Sequence, residues 1–489
     1  MKAVRNILLG ALALVVLLVG VVVARTLMLK PSADVAAANP AGAPTIDANL
    51  AAQHLSAAVK FQTVSHEDKA QDDPKQLAAQ RDWLAATYPH FAAAATREMV
   101  GEGALIWTWQ GSDPSLAPII LMAHQDVVPV VEETRGEWTA DPFGGEIKAG
   151  AVWGRGSIDD KGSLISLMEA ADALAAQGFK PKRTILIVSG HDEEMGGTGA
   201  RAAAAALKAR GVHALFALDE GSAVVADFPL THKPAALIGI SEKGFATLNV
   251  TAHGAGGHSS APPADTAATT VARAVAAIAD HPFPLKFSGP AADMLRSMAP
   301  KLGFPVRMAV ANDWLFGGML TSQMGATPVG RSMLHTTIAP TMLSGSPKDN
   351  VLPSLASAKI NYRIAPGQTS AEVMARAKQA VGALPVELSW SSDPREPSPV
   401  SSTTSEGWRD LAGVTQAMFP GVPVAPALDT SATDGRSMSI VTGDIYRFQP
   451  ILFGLKDIEM IHGVNEHLKI EDLKRMADFY ARLMLVSAG

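Results

Sequence analysis

Three short apolar runs, Pro118 to Ala123, Thr184 to Val188 and Ala214 to Leu218, show no alternation and are bounded by glycine or charged residues. A strand covered on one face alternates; an unbroken run of this length is covered on both, as in a parallel sheet flanked by helices. Helical stretches lie between and after the runs, Ser163 to Gln177 closed by Gly178 and Ala200 to Arg210 closed by Gly211, glycine being the usual helix stop. The texture changes near Ser241. "FATLNVTAHG" and "ASAKINYRIAPG" alternate as half-exposed strands do, with helices Ala264 to Ala279 and Ser370 to Leu384 between and after them. The chain then returns to apolar runs and ends on the amphipathic helix Ile470 to Val486. The predicted fold is α/β, a mostly parallel sheet domain with helices on both faces, interrupted by an inserted α+β domain. No internal repeat is present.

The first thirty residues follow another pattern. Lys2 and Arg5 precede an uncharged run from Ile7 to Ala24, after which come Arg25, Lys30 and the small-residue stretch "PSADVAAANPAGAPT". The run approaches the roughly 17–25 residues of a membrane span. It exceeds the roughly 7–15 of a signal-peptide core and lacks a small-x-small cleavage site after it. An uncleaved signal anchor is expected, with a cleaved, secreted form as the alternative. Positive charge on both sides specifies orientation weakly, and the usual outcome sends the bulk of the protein out of the cytoplasm, into the periplasm or beyond. The expected layout is an anchor over 1–30, a disordered linker over 31–46, the sheet domain over 47–240 and 389–489, and the inserted domain over 241–388.

Composition narrows the chemistry. Across 489 residues a net charge of −6 gives no basic surface for nucleic acid. Cysteine is absent, which excludes disulfides, thiolate metal sites and a cysteine nucleophile. Any metal must be held by His, Asp and Glu. These residues gather where the runs end: "AHQDVVP" gives His124 and Asp126, "GHDEEMGG" gives Glu193 and Glu194, "LDEG" gives Asp219 and Glu220, and "WGRGSIDDKGS" adds Asp159 and Asp160. In open α/β sheets ligands bind outside the carboxyl ends of the strands. Acids converging on one rim need a compensating cation, and imidazole mixed with carboxylate suits zinc, manganese or cobalt. Later in the chain "MIHGVNEHL" supplies His462. Asp126 can accept the ring N–H of His124 and fix its aim. Two metals would account for so many acids, one carboxylate bridging and a water acidified between them. One glutamate of the doublet would then bind metal while its neighbour takes the proton.

The motifs "HQDVVP", "GRGSIDDKG", "DEEMGGTGA", "LDEG", "GHSSAPP" and "IHGVNE" resemble, in order and spacing, those of the di-zinc aminoacylase and carboxypeptidase family. They are most similar to its carboxypeptidase S-like and N-acyl-amino-acid hydrolase branch, from about residue 50 to the end. The resemblance implies two Zn2+ ions per subunit, with His124, Glu194, Glu220 and His462 as ligands and Asp159 bridging. It also implies Asp126 as the residue orienting His124, and Glu193 as general base. Only the resemblance chooses Glu220 over Asp219. It further implies that the inserted domain acts as a lid and dimerisation surface. His258 would reach into an active site, often the partner's, to steady the oxyanion, and Asn350 and Arg363 would contact the substrate's carbonyl or carboxylate. A bidentate arginine is a natural reader of a carboxylate.

Other polar residues carry less. His191 is expected to pack, His467, His253 and His335 to be structural or exposed, and Asp434 and Arg436 of "TDGRS" to lie in a substrate-side loop. No Gly-x-Ser-x-Gly elbow or His-Glu-x-x-His helix is present. The expected activity is zinc-dependent hydrolysis of an amide next to a free carboxylate, in an N-acyl amino acid or short peptide. The contrasting reading is a membrane-anchored binding protein that keeps the fold without turnover.

Overall fold

A computed structural model describes residues 2–29, 35–229, 231–454 and 457–489. Met1, Lys30 and linker positions 31–34 lie outside the described residues. Among those described, the strands in chain order are β1 Thr96–Val100, β2 Ala104–Trp109, β3 Ile119–Met122, β4 Glu146–Lys148, β5 Ala151–Trp153, β6 Ile185–Ser189, β7 Phe216–Phe228, β8 Lys233–Glu242, β9 Gly244–His253, β10 Gly257–His258, β11 Thr337–Ser344, β12 Val351–Leu352, β13 Leu355–Ile364, β14 Glu387–Trp390, β15 Val424–Asp429, β16 Ile445–Phe453 and β17 His467–Lys469.

Eight of them form one sheet in the order β1-β2-β6-β3-β7-β16-β8-β15. Its centre, β6, β3, β7 and β16, is parallel, and β1 and β2 are antiparallel additions at one edge. The three apolar runs read from the sequence are β3, β6 and the start of β7. Their lack of alternation has a direct cause. Leu105, Trp107, Ile119, Leu121, Ile185, Ile187, Phe216 and Leu218 enter a core on one face, while their neighbours Ile106, Ile120, Met122, Leu186, Val188 and Ala217 enter a core on the other. Successive strand residues point to opposite faces, so both parities must be apolar. The helices Ala48–Val59, Lys161–Ala176 and Ile470–Ala488 cover the first face and Thr198–Ala209 the second. This is the α/β architecture expected.

The change of texture after Ser241 marks a separate antiparallel sheet, β11-β13-β9-β14. Leu248 pairs with Ile360 and Val250 with Ala358. These residues, with Ala246, Ala252 and Ile364, bury one face beneath the helices Ala267–Ala279 and Ser370–Val381. Each of those helices starts on a capping box, Thr266 with Thr269 and Thr369 with Glu372. The helices between, Gly289–Met298, Phe304–Ala311 and Asp313–Met324, pack elsewhere. Met294, Leu295, Met298, Ala309 and Val310 join Phe228, Ala235 and Ala425 at the β8 and β15 side of the large sheet. The stretch 241–388 is thus divided in its packing.

The described part of the linker is held in place. Ala38 N–H donates to the Gly413 carbonyl at 2.9 Å, Ile46 is buried, and a side chain at Gly413 would press on the Ala36 carbonyl at 3.0 Å. The N-terminal helix Lys2–Met28 is exposed over most of its length and meets the rest of the protein through its last turns.

Candidate active site

Three strands of the large sheet, β3, β6 and β7, bring groups to a common rim. β3 ends at Met122, and two residues later the buried His124 imidazole turns in. Its Nδ1 bonds the Asp126 backbone carbonyl at 3.0 Å, with the Asp126 carboxylate at 3.3 Å. Its Nε2 faces Asp159 Oδ1 at 2.9 Å and Glu220 Oε1 at 3.5 Å. Asp126 also accepts from Ser65 Oγ at 2.7 Å and from the backbone N–H groups of Glu193 and Glu194 at 3.1 and 3.2 Å. Asp126 therefore holds the imidazole through its backbone carbonyl, where the ring N–H was expected to meet the carboxylate, and the carboxylate pins the short turn carrying the glutamate doublet.

The alternation along β7 separates the neighbours that sequence could not. Asp219 turns away to accept the Gly435 N–H at 2.5 Å, and Glu220 faces His124. In the 154–160 loop Asp160 accepts from His124 N and from Gln449 Nε2, leaving Asp159 to point between two imidazoles. Its Oδ2 meets His462 Nε2 at 3.1 Å, and the same nitrogen lies 3.2 Å from Glu194 Oε2. His462 sits at φ +61°, in the left-handed region.

The electrostatics of the cluster are those of a cation site. Burial raises the Glu220 carboxyl well above its ordinary range, with Asp159 and Asp160 adding repulsion. Burial, then Asp159, raises Glu194. Burial raises Glu193 strongly, His124 pulls the other way, and Asp434, Glu220 and Glu194 add repulsion. Burial works against charge on Asp159 too, but His124 and His462 hold its carboxyl below the usual range. Hydrogen bonds to Asp159 and Glu194 push His462 up to about 10. A field that keeps a proton on an imidazole among these oxygens stabilises a divalent cation there more strongly. His124, Asp159 and Glu194 offer one ligand atom each within 4.8 Å of one another, and so do His124, Glu193 and Glu220. The buried Glu194 Oε1 has no hydrogen-bond partner, an inward acceptor that a metal ion would satisfy. The donor set fits zinc.

Three expected residues stand apart from this cluster. His258 is exposed on β10, which pairs with β12, and Asn350 next to β12 accepts the Ser259 N–H through its carbonyl at 3.2 Å. His258 and Asn350 thus neighbour one another. Arg363 of β13 stacks 4.9 Å over the Phe245 ring, and burial lowers its pKa. Phe245 in turn exchanges two 2.8 Å backbone hydrogen bonds with Arg395.

Beside Glu193 opens a cavity of about 440 Å³ lined by Arg201, Arg395, Thr433, Asp434 and Arg436. Asp434 and Arg436 belong to the "TDGRS" stretch singled out in the sequence, whereas Arg201 and Arg395 carry no pattern that would single them out. Glu466, within the quoted "IHGVNE", accepts from Arg155 Nη1 at 2.7 Å and from the N–H groups of Gly156, Ile158 and Asp159 at 3.0, 2.8 and 3.1 Å. It secures the loop that presents Asp159. His191 packs against Gly199, His467 stacks on Trp153 at 4.1 Å, His335 bonds the Phe283 carbonyl and His253 is exposed.

The model of the peptidase family M20/M25/M40 matches residues 120–486. The chain is 39% identical over 392 residues to the N-fatty-acyl-amino acid synthase/hydrolase PM20D1 of Homo sapiens, covering 79% of this chain and 77% of that protein. It is 31% identical over 472 residues to carboxypeptidase S of Saccharomyces cerevisiae, covering 86% and 81%. Among solved structures, the M20 family metallo-carboxypeptidase of Sulfolobus solfataricus superposes with a TM-score of 0.66 at 16% identity, over 89% of this chain and 98% of that one. Human carnosine dipeptidase 1 does so with 0.64 at 16%, over 90% and 96%. The family resemblance read from the motifs is borne out, and this chain is a hydrolytic enzyme belonging to peptidase family M20/M25/M40.

Proposed function

We propose that the enzyme hydrolyses the amide bond of N-fatty-acyl amino acids, next to the free carboxylate, at two zinc ions held by His124, Asp159, Glu194, Glu220 and His462. The family is metal-dependent, typically on zinc. Support comes from one observation above all: side chains from four separated segments meet through Asp159, which contacts both imidazoles within 3.1 Å. Bound there, the ions would polarise the amide carbonyl and acidify water between them.

The protein's own groups do the rest. Asp126 aims His124 and pins the doublet. Glu194 turns to His462, whereas Glu193 lines the cavity a substrate would enter. Glu193 therefore takes the proton from water and returns it to the leaving amine. Burial and three neighbouring carboxylates raise its proton affinity, as a base working near neutral pH requires. Arg363 and Asn350 hold the substrate carboxylate or carbonyl. The cavity beside Glu193 carries three arginines, Arg201, Arg395 and Arg436, among the acids Glu193, Glu396 and Asp434.

The test is a panel of N-fatty-acyl amino acids, short-chain N-acyl amino acids and dipeptides, each free and with its carboxylate amidated. Free-carboxylate substrates should turn over, amidated ones should not, chelation should abolish activity and zinc should restore it. Activity indifferent to chelator, from protein lacking bound transition metal, would end the proposal. Turnover of dipeptides alone would assign the carboxypeptidase S-like specificity instead.

His258 is assigned as the oxyanion donor of a partner subunit in a homodimer built on the lid sheet. Its exposure on β10 and lack of contact with the ligands among the described residues favour action on a second copy. His258→Ala should cost roughly 10²–10³ in kcat. Mixing it with inactive Glu193→Gln should recover activity, because a mixed dimer contains one complete site. No recovery between proven mixed dimers would place His258 outside the partner's site.

The helix Lys2–Met28, whose most apolar window has a mean hydropathy of 3.2, serves in this reading as a signal anchor holding the enzyme outside the cytoplasm. A cleaved leader is its competitor.

A further inference from the structure

The helices Phe304–Ala311 and Asp313–Met324 carry an apolar surface that the hydrolase site does not use. From Trp314 to Gly330 the chain has no charged residue, yet it is far from buried. Trp314, Leu315 and Met319 are exposed, joined by Phe304 and Val329. Leu315 and Met319, four positions apart, lie side by side on the helix, with Trp314 on its flank at the first turn. An apolar face left open this way marks an interaction surface.

What lies beside the stripe identifies its partner. Asn312, directly before the helix Asp313–Met324, donates from Nδ2 to the Val22 carbonyl at 3.1 Å and to Thr26 Oγ1 at 3.2 Å. Arg25 Nε donates to the Ala311 carbonyl at 3.1 Å, and Arg307 Nη2 to the Leu29 carbonyl at 3.0 Å. The last turns of the N-terminal helix are thereby clamped against the root of the stripe. If Ile7 to Ala24 fill the roughly 30 Å hydrocarbon layer, the clamp at Val22 to Thr26 lies at its boundary. Trp314 then sits at the depth where tryptophan concentrates in membrane proteins, and Arg25 and Arg307 bring positive charge to the headgroups.

We propose that the face formed by Trp314, Leu315 and Met319 lies in the surface of the same phospholipid bilayer that the N-terminal helix enters. This makes a second, interfacial attachment, and it rests on the anchor reading. The same helices pack at the β8 and β15 side of the large sheet. Two attachments therefore fix the tilt of the catalytic domain over the membrane, where one spanning helix alone would let it swivel.

The absence of cysteine makes the test direct. Trp314→Cys, Leu315→Cys and Met319→Cys, each in the full chain with a single environment-sensitive fluorophore, are reconstituted in phosphatidylcholine and phosphatidylglycerol vesicles. Leu14→Cys reports on the N-terminal helix and Lys378→Cys, at an exposed position of the helix Ser370–Val381, on water. Retained hydrolase activity confirms folding. Labels at 314, 315 and 319 should emit at shorter wavelength than at 378, lose intensity to brominated lipid and resist aqueous iodide. Quenching of those three labels by iodide while Leu14→Cys responds to brominated lipid overturns the proposal and leaves the anchor standing. Lipid quenching at the three with Leu14→Cys in water, or cut away, removes the anchor and overturns the proposal of a second attachment beside it. Protection from both quenchers together with self-quenching between labels would mean that a second copy covers the stripe, and would overturn the proposal.

Discussion

Glu193→Gln is expected to bind its metal in full and to lose roughly 10²–10⁴ in kcat, the usual worth of a positioned general base. Glutamine keeps the volume of the side chain and leaves the residue's backbone N–H free to donate to Asp126 at 3.1 Å. The doublet's turn and the Glu194 contact with His462 should therefore survive. What disappears is a carboxylate on the cavity wall whose burial and acidic neighbours raise its proton affinity. Elemental analysis beside steady-state kinetics decides the matter, with Glu194→Gln as the contrast. The two glutamates are adjacent, and both lie within reach of His124, so distance alone does not divide their roles. Glu194→Gln should lower metal content, and added zinc should restore part of its activity. Glu193→Gln should be deaf to zinc. Full turnover in Glu193→Gln would refute its role as base, and loss of metal in that variant would make it a ligand.

How far the sequence carried this site depended on whether a residue's role is local. The strand ends were readable because β3, β6 and the start of β7 are buried on both faces, and the polar residues after them fall at the rim by topology. Asp219 and Glu220 differ only by the pleat of β7, which becomes visible once the strand's orientation is fixed. Glu466 lay inside a quoted motif without a role, since its partners at 155–159 are some three hundred residues distant. Arg201 and Arg395 reach the cavity through folding alone. The helices over 289–324 went unread because each is short and proline or glycine interrupts the run at Gly289, Gly303, Pro305 and Gly325, leaving no long apolar period to detect. Around Ala38 the composition suggested disorder, but the smallness of Gly413 lets the backbone approach and bond there.

Glu466→Ala is expected to destabilise the protein by about 3–5 kcal/mol, the cost of leaving one member of a buried ion pair uncompensated. Arg155 and Glu466 are both fully buried or nearly so. Burial raises the Glu466 carboxyl, and Arg155 opposes that shift. The pair persists because the carboxylate also accepts three backbone N–H groups of the loop that ends at Asp159. Arg155 meanwhile donates from Nη2 to the carbonyl of Gly463, the residue after His462, at 2.9 Å. One ion pair thus joins the two loops that present Asp159 and His462 to the cluster. Truncation strands a guanidinium and three N–H donors away from water, and it frees both loops. The denaturant midpoint should fall, and metal affinity should fall at temperatures where the variant is still folded. Arg155→Met with Glu466→Leu separates the two effects. Removing both charges should recover part of the stability, since an apolar pair avoids the buried lone ion, but not the metal affinity, because the N–H groups of Gly156, Ile158 and Asp159 remain unanchored. Recovery of both together would mean that the pair serves folding alone, and that Asp159 is positioned by its two imidazoles without help from Glu466.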